Sequence, residues 1–508
     1  MGHLIRGATI AIVAIAVWAA PASAELRGIT PDGEAFVFTT TAALSAADTD
    51  TAADAYLRTG GVNELVSVGT TGSAYGQAIS EDASRAFFST AESLVAADTD
   101  TDYDLYERSG GQTTLVTTGP TDPGPLPWYD LAHISADGSR VIFGTSAGLV
   151  PEDTDGERDV YMRSGGVTTL VSASPAGASG RHSHFFAGAS LDGTRVFEGT
   201  DEALVSNDTD GGGDIYERSG GTVKLVTTGT LGSGSAPHQL WRAGDASEDG
   251  SSYLFMTDAK LELGDTNDTL DLYQRRNGKT RLLTANRLGL VQPCSTPSSP
   301  GPGPAPCTIF RAAQTADGGS VFFGAGQRLA STDTNSTYDM YLRTGSSLEH
   351  VAQGGEGWMS PDGARLVFHT GAALVPGDTD AKADLYARTG SGGFELLTPG
   401  TPADNLGFAG GSRDLTRVFF QTQEGVVAAD TDNRRDVYES VGGTVRLVTT
   451  GPADDHANVS DSEHTRVWPS DDGSRVVFVS KKALVAADAD TAEDTYVWED
   501  GVTTLVSG

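Results

Sequence analysis

A fixed step of 24 residues, passed nine times without an insertion, restricts this chain to a repeat architecture. Each pass opens on an Asp, usually followed by Gly, at Asp32, Asp82, Asp137, Asp192, Asp249, Asp317, Asp362, Asp414 and Asp472. Sixteen residues later stands the first Asp of a second motif, and eight residues beyond that a Tyr. The second motif reads Asp, Thr (Ala489 in the ninth copy), Asp or Asn, three variable residues, Asp, an aliphatic or small residue, and Tyr. Only a rigid supersecondary unit imposes so constant a spacing, while the intervals between units vary from 45 to 68 residues.

Inside the unit the pattern is that of strands. In the third copy His133-Ile134-Ser135 leads into Asp137-Gly138, a hairpin turn signal. Arg140-Val141-Ile142-Phe143 is a β-rich run, and Asp159-Val160-Tyr161-Met162-Arg163 is another beyond the Asp motif. Ser164-Gly165-Gly166 is a second turn, and Thr168 to Ser172 a fourth strand. Phe stands six residues after the turn Asp in eight units, with Glu198 in the fourth, and Phe and Tyr are expected to pack in the core. Four-stranded units at about 40 to 50 residues mark a β-propeller. The expected fold is all-β, a propeller of nine four-stranded repeats over residues 25–508, with a Pro-rich insertion at about 290–308. An eight-bladed ring with a spare unit, or two smaller propellers divided near 293–306, are the alternatives.

The string Ser-x-Asp-Gly-x-Arg followed by two hydrophobic residues and Phe, as in Ser135 to Phe143 and Ser360 to Phe368, resembles the PD40 (WD40-like, TolB-like) propeller repeat of bacteria. Leu374-Val375-Pro376-Gly377-Asp378-Thr379-Asp380 to Asp384-Leu385-Tyr386 is similar to a motif of exported bacterial proteins of that group. The resemblance implies the propeller fold and a protein-binding role. No second domain of the TolB type is visible, so the Tol-Pal role is not implied.

In an up-and-down unit the Asp motif, between strands two and three, shares one end with the links between units. Variable loops on a rigid scaffold are where binding usually resides. The links also gather Trp128, Tyr129, His133, His182, His184, Phe185, Phe186, His238, Trp241, Trp358, His456, His464 and Trp468. They form either a recognition surface or a set of plugs for the inner strands.

The Asp motif supplies the candidate metal ligands, three per unit: Asp48, Asp50 and Asp54; Asp98, Asp100 and Asp104; Asp153, Asp155 and Asp159; Asp208, Asp210 and Asp214; Asp265, Asn267 and Asp271; Asp333, Asn335 and Asp339; Asp378, Asp380 and Asp384; Asp430, Asp432 and Asp436; Asp488, Asp490 and Asp494. Glu never substitutes, so side-chain length matters, as it does for oxygen ligands on calcium. Asx-turns impose nearly the same restriction, and the structural-turn reading stands beside the calcium one. The Arg found two residues past Tyr in seven units is a possible partner for a motif Asp.

No catalytic residue is assigned and no enzyme is expected. Gly144 to Gly148 matches G-x-S-x-G, but no helix signal follows to make a nucleophile elbow. His182-x-His184 lacks an identifiable third metal ligand. The formal net charge of −34 disfavours nucleic acid and anionic membranes as partners.

Residues 1–24 read as a signal peptide: a short polar start, an apolar run from Ala8 to Ala20, and Ala22-Ser23-Ala24 as the cleavage site. An exported location, periplasmic, extracellular or at the envelope, follows, with Cys294 and Cys307 expected to form a disulfide. The sequence thus points to a monomeric exported binding or scaffold module for a protein or small polar ligand, with calcium as a candidate ion. The alternative is a propeller lyase or hydrolase with one axial site.

Overall fold

The computed structural model describes residues 25–119, 130–173, 182–234, 245–266, 270–285, 309–335, 337–379, 382–390, 392–399, 406–431, 435–450, 467–481, 483–489 and 493–507. The fold is all-β, with nine four-stranded antiparallel sheets, the blades of a nine-bladed β-propeller. Strands follow chain order within each blade. The blades span 25–65, 74–115, 130–170, 185–225, 245–282, 309–353, 357–396, 407–447 and 467–505. Among the described residues one small extra hairpin, Thr228–Gly229 with Gly232–Ser233, follows blade 4 and has no counterpart in the other blades.

The blade is held by its two middle strands. Strand two carries the Phe and strand three the Tyr, and the two are direct cross-strand partners, as in Phe143 with Tyr161. In eight blades these rings lie with centroids 5.3 to 6.4 Å apart in near-parallel planes. All nine Tyr are fully buried. The expectation of a core role for both aromatics is met, since such pairs add to the burial of large apolar surface.

The opening turn is stitched by one Asp. In Ser135-Ala136-Asp137-Gly138, the Ser135 hydroxyl donates to Asp137 Oδ1 (2.7 Å), and the same oxygen accepts the N–H of Ser139 (2.9 Å). The equivalent hydroxyl-to-Asp bond occurs in all nine blades. Gly follows the Asp in seven blades because the chain there takes a left-handed conformation (φ +65° at Gly138). Neighbouring turns are joined by backbone: Glu81 N–H donates to Ala136 O, Leu191 to Glu248 and Ala316 to Pro361, each at 2.8 Å.

Two compact units divide the chain. One holds blades 1, 2, 3, 8 and 9; the other, Val171–Leu396, holds blades 4 to 7. In the first unit the last blade meets the first. Asp471 N–H donates to Pro31 O (2.6 Å), Asn63 Nδ2 to Val506 O (3.1 Å), and Arg475 pairs with Glu34. Leu26, Ile29 and Phe36 share one apolar cluster with Trp468, Val477 and Val506. In the second unit blades 5 and 6 share a cluster of Leu254, Leu272 and Leu283 with Val321, Phe323 and Tyr341. No boundary therefore falls at 293–306, and the two-propeller alternative is set aside. The signal segment 1–24, the Pro-rich insertion, Cys294 and Cys307 lie outside the described residues.

Candidate functional site

The Asp motif joins strands two and three, as its position in the sequence requires. Its first Asp is fixed by the Tyr eight residues on. The Tyr hydroxyl donates to Oδ2 of that Asp in all nine blades, at 2.6 Å for Tyr56 and Asp48 and 2.5 Å for Tyr273 and Asp265. The same hydroxyl oxygen accepts the backbone N–H of a Leu or Val ahead of the loop, as from Leu44 (3.1 Å). Burial and then the Asp carboxylate push each Tyr pKa up, so the hydroxyl remains a donor. The loop is thereby pinned to its sheet from within the core.

The third-position Asp caps the next turn. Asp50 Oδ1 accepts the N–H of Ala52 (2.6 Å), Asp100 that of Asp102 (2.7 Å), Asp155 that of Glu157 (2.8 Å) and Asp210 that of Gly212 (2.9 Å). The Asx-turn reading of the motif is therefore met in these blades. The seventh-position Asp opens strand three and is buried. Its Oδ1 accepts a hydroxyl 13 residues on: Ser67 for Asp54 (2.6 Å), Thr117 for Asp104, Thr227 for Asp214, Thr284 for Asp271, Thr449 for Asp436 (2.7 Å) and Ser507 for Asp494 (2.8 Å). That hydroxyl then accepts the N–H following the Asp, as from Ala55 (3.2 Å). A Ser or Thr at this fixed distance was a legible signal that the spacing of the Asp and Tyr alone did not reveal.

These hydrogen bonds do not remove the mutual repulsion of the carboxylates. In blades 1 to 4 the three Asp bring ligand oxygens within 4.8 Å of one another, and such a group could hold a metal ion. Burial, with Asp98, Asp100 and Asp102 adding to it against the Thr117 bond, pushes Asp104 up to about 7. Burial, with Asp208 and Asp210 adding to it, pushes Asp214 up to about 8. Blade 6 differs. Asn335 Nδ2 lies 3.4 Å from Asp339 Oδ1, and His350 Nε2 lies 2.6 Å from the same oxygen. Asn267, Asp380, Asp432 and Asp490, the third-position residues of blades 5, 7, 8 and 9, lie outside the described residues.

The Arg past the Tyr has other uses than pairing with a motif Asp. Arg58 bonds Asn63 (3.0 Å), Arg108 bonds Thr113 (3.1 Å), Arg163 bonds Thr168 (2.9 Å) and Arg275 bonds Thr280 (2.7 Å), each tying strand three to strand four. Arg343 reaches the carbonyl of Leu283, and Arg388 pairs with Glu349.

Blade 4 alone puts Glu at the Phe position. Glu198 is fully buried opposite Tyr216, and Arg218 Nε donates to its Oε1 (2.5 Å). His184, also fully buried, has Nδ1 3.3 Å from Glu198 Oε2 and Nε2 3.5 Å from Glu202 Oε2. Arg218 Nη1 donates to Ala173 O (2.6 Å). At the rim, His182 Nδ1 lies 2.8 Å from Asp201 Oδ1, with both side chains about two-fifths exposed (42% and 43%). Blade 4 thus carries a half-exposed pair, His182 with Asp201, and a buried His184–Glu198–Arg218 network. The two His flagged in the sequence sit here; their carboxylate partners were not recognised from spacing.

The other link residues divide. Trp358 (5% exposed) and Trp468 (6%) are buried in first strands, so these two plug the blades and form no recognition surface. Trp128, Tyr129, His238, Trp241, His456 and His464 lie outside the described residues. Ser146 of the G-x-S-x-G match follows a strand and leads into the Asp loop without a helix. No described helix is long and apolar enough to cross a membrane.

No family model matches the chain, and no curated protein does. Solved structures do. An oligogalacturonate lyase from Vibrio parahaemolyticus is 14% identical over 81% of this chain and 96% of its own, with a TM-score of 0.35. The β-propeller domain of the Trilobed protease from Pyrococcus furiosus is 10% identical over 75% and 96%, at 0.34. A putative TolB from Agrobacterium tumefaciens is 16% identical over 52% and 82%, at 0.27.

Proposed function

We propose that this chain is an exported propeller of the PD40 type that binds a protein or a small polar ligand at the loop end of its blades. Residues 1–24 act as the export signal, Cys294 and Cys307 close a disulfide, and calcium in the Asp loops stabilises the scaffold. The observation that carries the binding reading is the cluster in blade 4. A pattern used nine times builds the framework; Glu198 interrupts that pattern once, at the loop end, with His184 and Arg218 paired to it and Glu202, His182 and Asp201 in the same blade forming an open rim. A buried Glu–Arg pair gains little or nothing over the stacked aromatic pair of the other blades, so it marks a use beyond packing.

The test is retention. The wild-type protein and a His182→Ala/Asp201→Ala variant are immobilised and exposed to exported-fraction proteins and to a panel of polar glycans and peptides. The rim reading expects a ligand retained by the wild type and lost from a variant of equal melting temperature. An identical retained set for both would sink it.

The same cluster favours one second reading, a lyase or hydrolase. An imidazole held between two carboxylates is an arrangement suited to proton transfer. That reading expects turnover of a glycoside, uronide or peptide substrate by the wild type and its loss in His184→Gln. No turnover across the panel would leave the binding role.

A further inference from the structure

Three carboxylates meet in the Asp loop of blade 4, and the protein's own donors satisfy only part of them. Asp208 gives Oδ2 to Tyr216, Asp210 gives Oδ1 to the N–H of Gly212 (2.9 Å), and Asp214 gives Oδ1 to Thr227. Asp208 Oδ1 and Asp214 Oδ2 are buried and accept no hydrogen bond. Asp214 is wholly enclosed (0% exposed). One oxygen from each of the three lies within 4.8 Å of the other two.

A buried polar atom without a partner costs roughly 1–3 kcal/mol, and more when charged. Adjacent carboxylates add repulsion. One cation placed among the three relieves both at once, because each residue offers it one oxygen of a close-set trio. An all-oxygen, all-carboxylate set suits a hard ion and excludes soft ones. Calcium takes oxygen ligands at about 2.3–2.6 Å, so oxygens across the ion lie up to about 5 Å apart. The trio fits that span as it stands.

We propose that Asp208, Asp210 and Asp214 hold one calcium-class divalent cation, with Asp208 Oδ1 and Asp214 Oδ2, the two buried oxygens that accept no hydrogen bond, among its donors. This deepens the reading of the Asp loops as cation-stabilised scaffolding by naming a site and its donor atoms. Blade 6 supplies the contrast within the same chain: Asn335 stands where blade 4 has Asp210, and its Nδ2 and His350 Nε2 face Asp339 Oδ1. The hydrogen bonds of the loop also separate labour. Tyr216 and Thr227 fix where each carboxylate points, and the ion neutralises what points inward.

The experiment measures bound calcium on the full chain. Wild-type protein and an Asp208→Asn/Asp214→Asn variant are stripped with EDTA, dialysed against a calcium-buffered solution, and analysed for metal content. Near-UV circular dichroism confirms that both are folded. The variant is expected to retain one equivalent of calcium fewer than the wild type and to gain less in melting temperature when calcium is added. Equal calcium content in the two folded proteins, including none in either, overturns the site. If the double variant does not fold, Asp210→Asn takes its place; it alters an exposed residue, and it is expected to weaken one class of sites by more than tenfold. A calcium isotherm unchanged from the wild type then overturns the proposal. Failure here is separable from failure of the binding role, which is read at His182 and Asp201.

Discussion

Tyr273 illustrates how much one hydroxyl does in this chain. It donates to Asp265 (2.5 Å), accepts the N–H of Leu261 (3.3 Å), and lies against Phe255 with ring centroids 5.7 Å apart. Tyr273→Phe keeps the ring and removes the bond to a charged group, so it is expected to cost about 2 kcal/mol in a denaturant melt. The turn Asp predict an acid limit. The Ser135 hydroxyl, then the Ser139 N–H, hold the carboxyl of Asp137 down at about 2, and those of Asp82, Asp317 and Asp472 are lowered by the same kinds of bond. A carboxyl whose folded pKa is depressed adds stability above its unfolded value, near 3.9, and loses it as pH falls through the folded value. Melting temperature is therefore expected to drop between about pH 4 and pH 2. Asp137→Asn should shallow that drop slightly, since the group is exposed and its share is small.

At the scale of the blade, most of the order was legible in the sequence, for a physical reason. Turn chemistry and strand alternation are local, so Asp137-Gly138 and the run Arg140 to Phe143 announce their geometry directly. Contacts that depend on side-chain direction across the sheet were not legible. The Arg after Tyr could face an Asp loop or strand four, and only the register, Arg58 opposite Asn63, decides for strand four. Trp358 and Trp468 sit beside variable links in sequence, yet the inward face of their strands buries them. Glu198 was visible as an exception, while its partners came from Arg218 across one strand and from His184 ahead of the other. Glu198→Ala is expected to cost about 3 kcal/mol or more by leaving Arg218 and His184 enclosed without their carboxylate. Glu198→Phe restores the aromatic pair of the other blades, and should recover part of that loss in the same melt.

At the scale of the molecule, the chain is divided by neighbourhood and not by sequence order. Blades 1 to 3 share a unit with blades 8 and 9, and blades 4 to 7 form the other. Trp468, packed with Leu26 and Phe36, is one join in the first. Trp468→Ala is expected to cost about 3–5 kcal/mol. It should expose the first blade to limited proteolysis before the sixth, a comparison that mass mapping of early fragments can make. The meeting of Pro31 with Asp471 also sets a timetable. Synthesis delivers a chain from its amino end, so blade 1 emerges hundreds of residues before the strand that will cover its flank. Through that interval Leu26, Ile29 and Phe36 stand open to water and to other chains, whereas each of blades 5 to 7 follows its neighbour within one repeat. The hazard of misassembly is thus concentrated in time at the first blade, and it ends when the last one arrives.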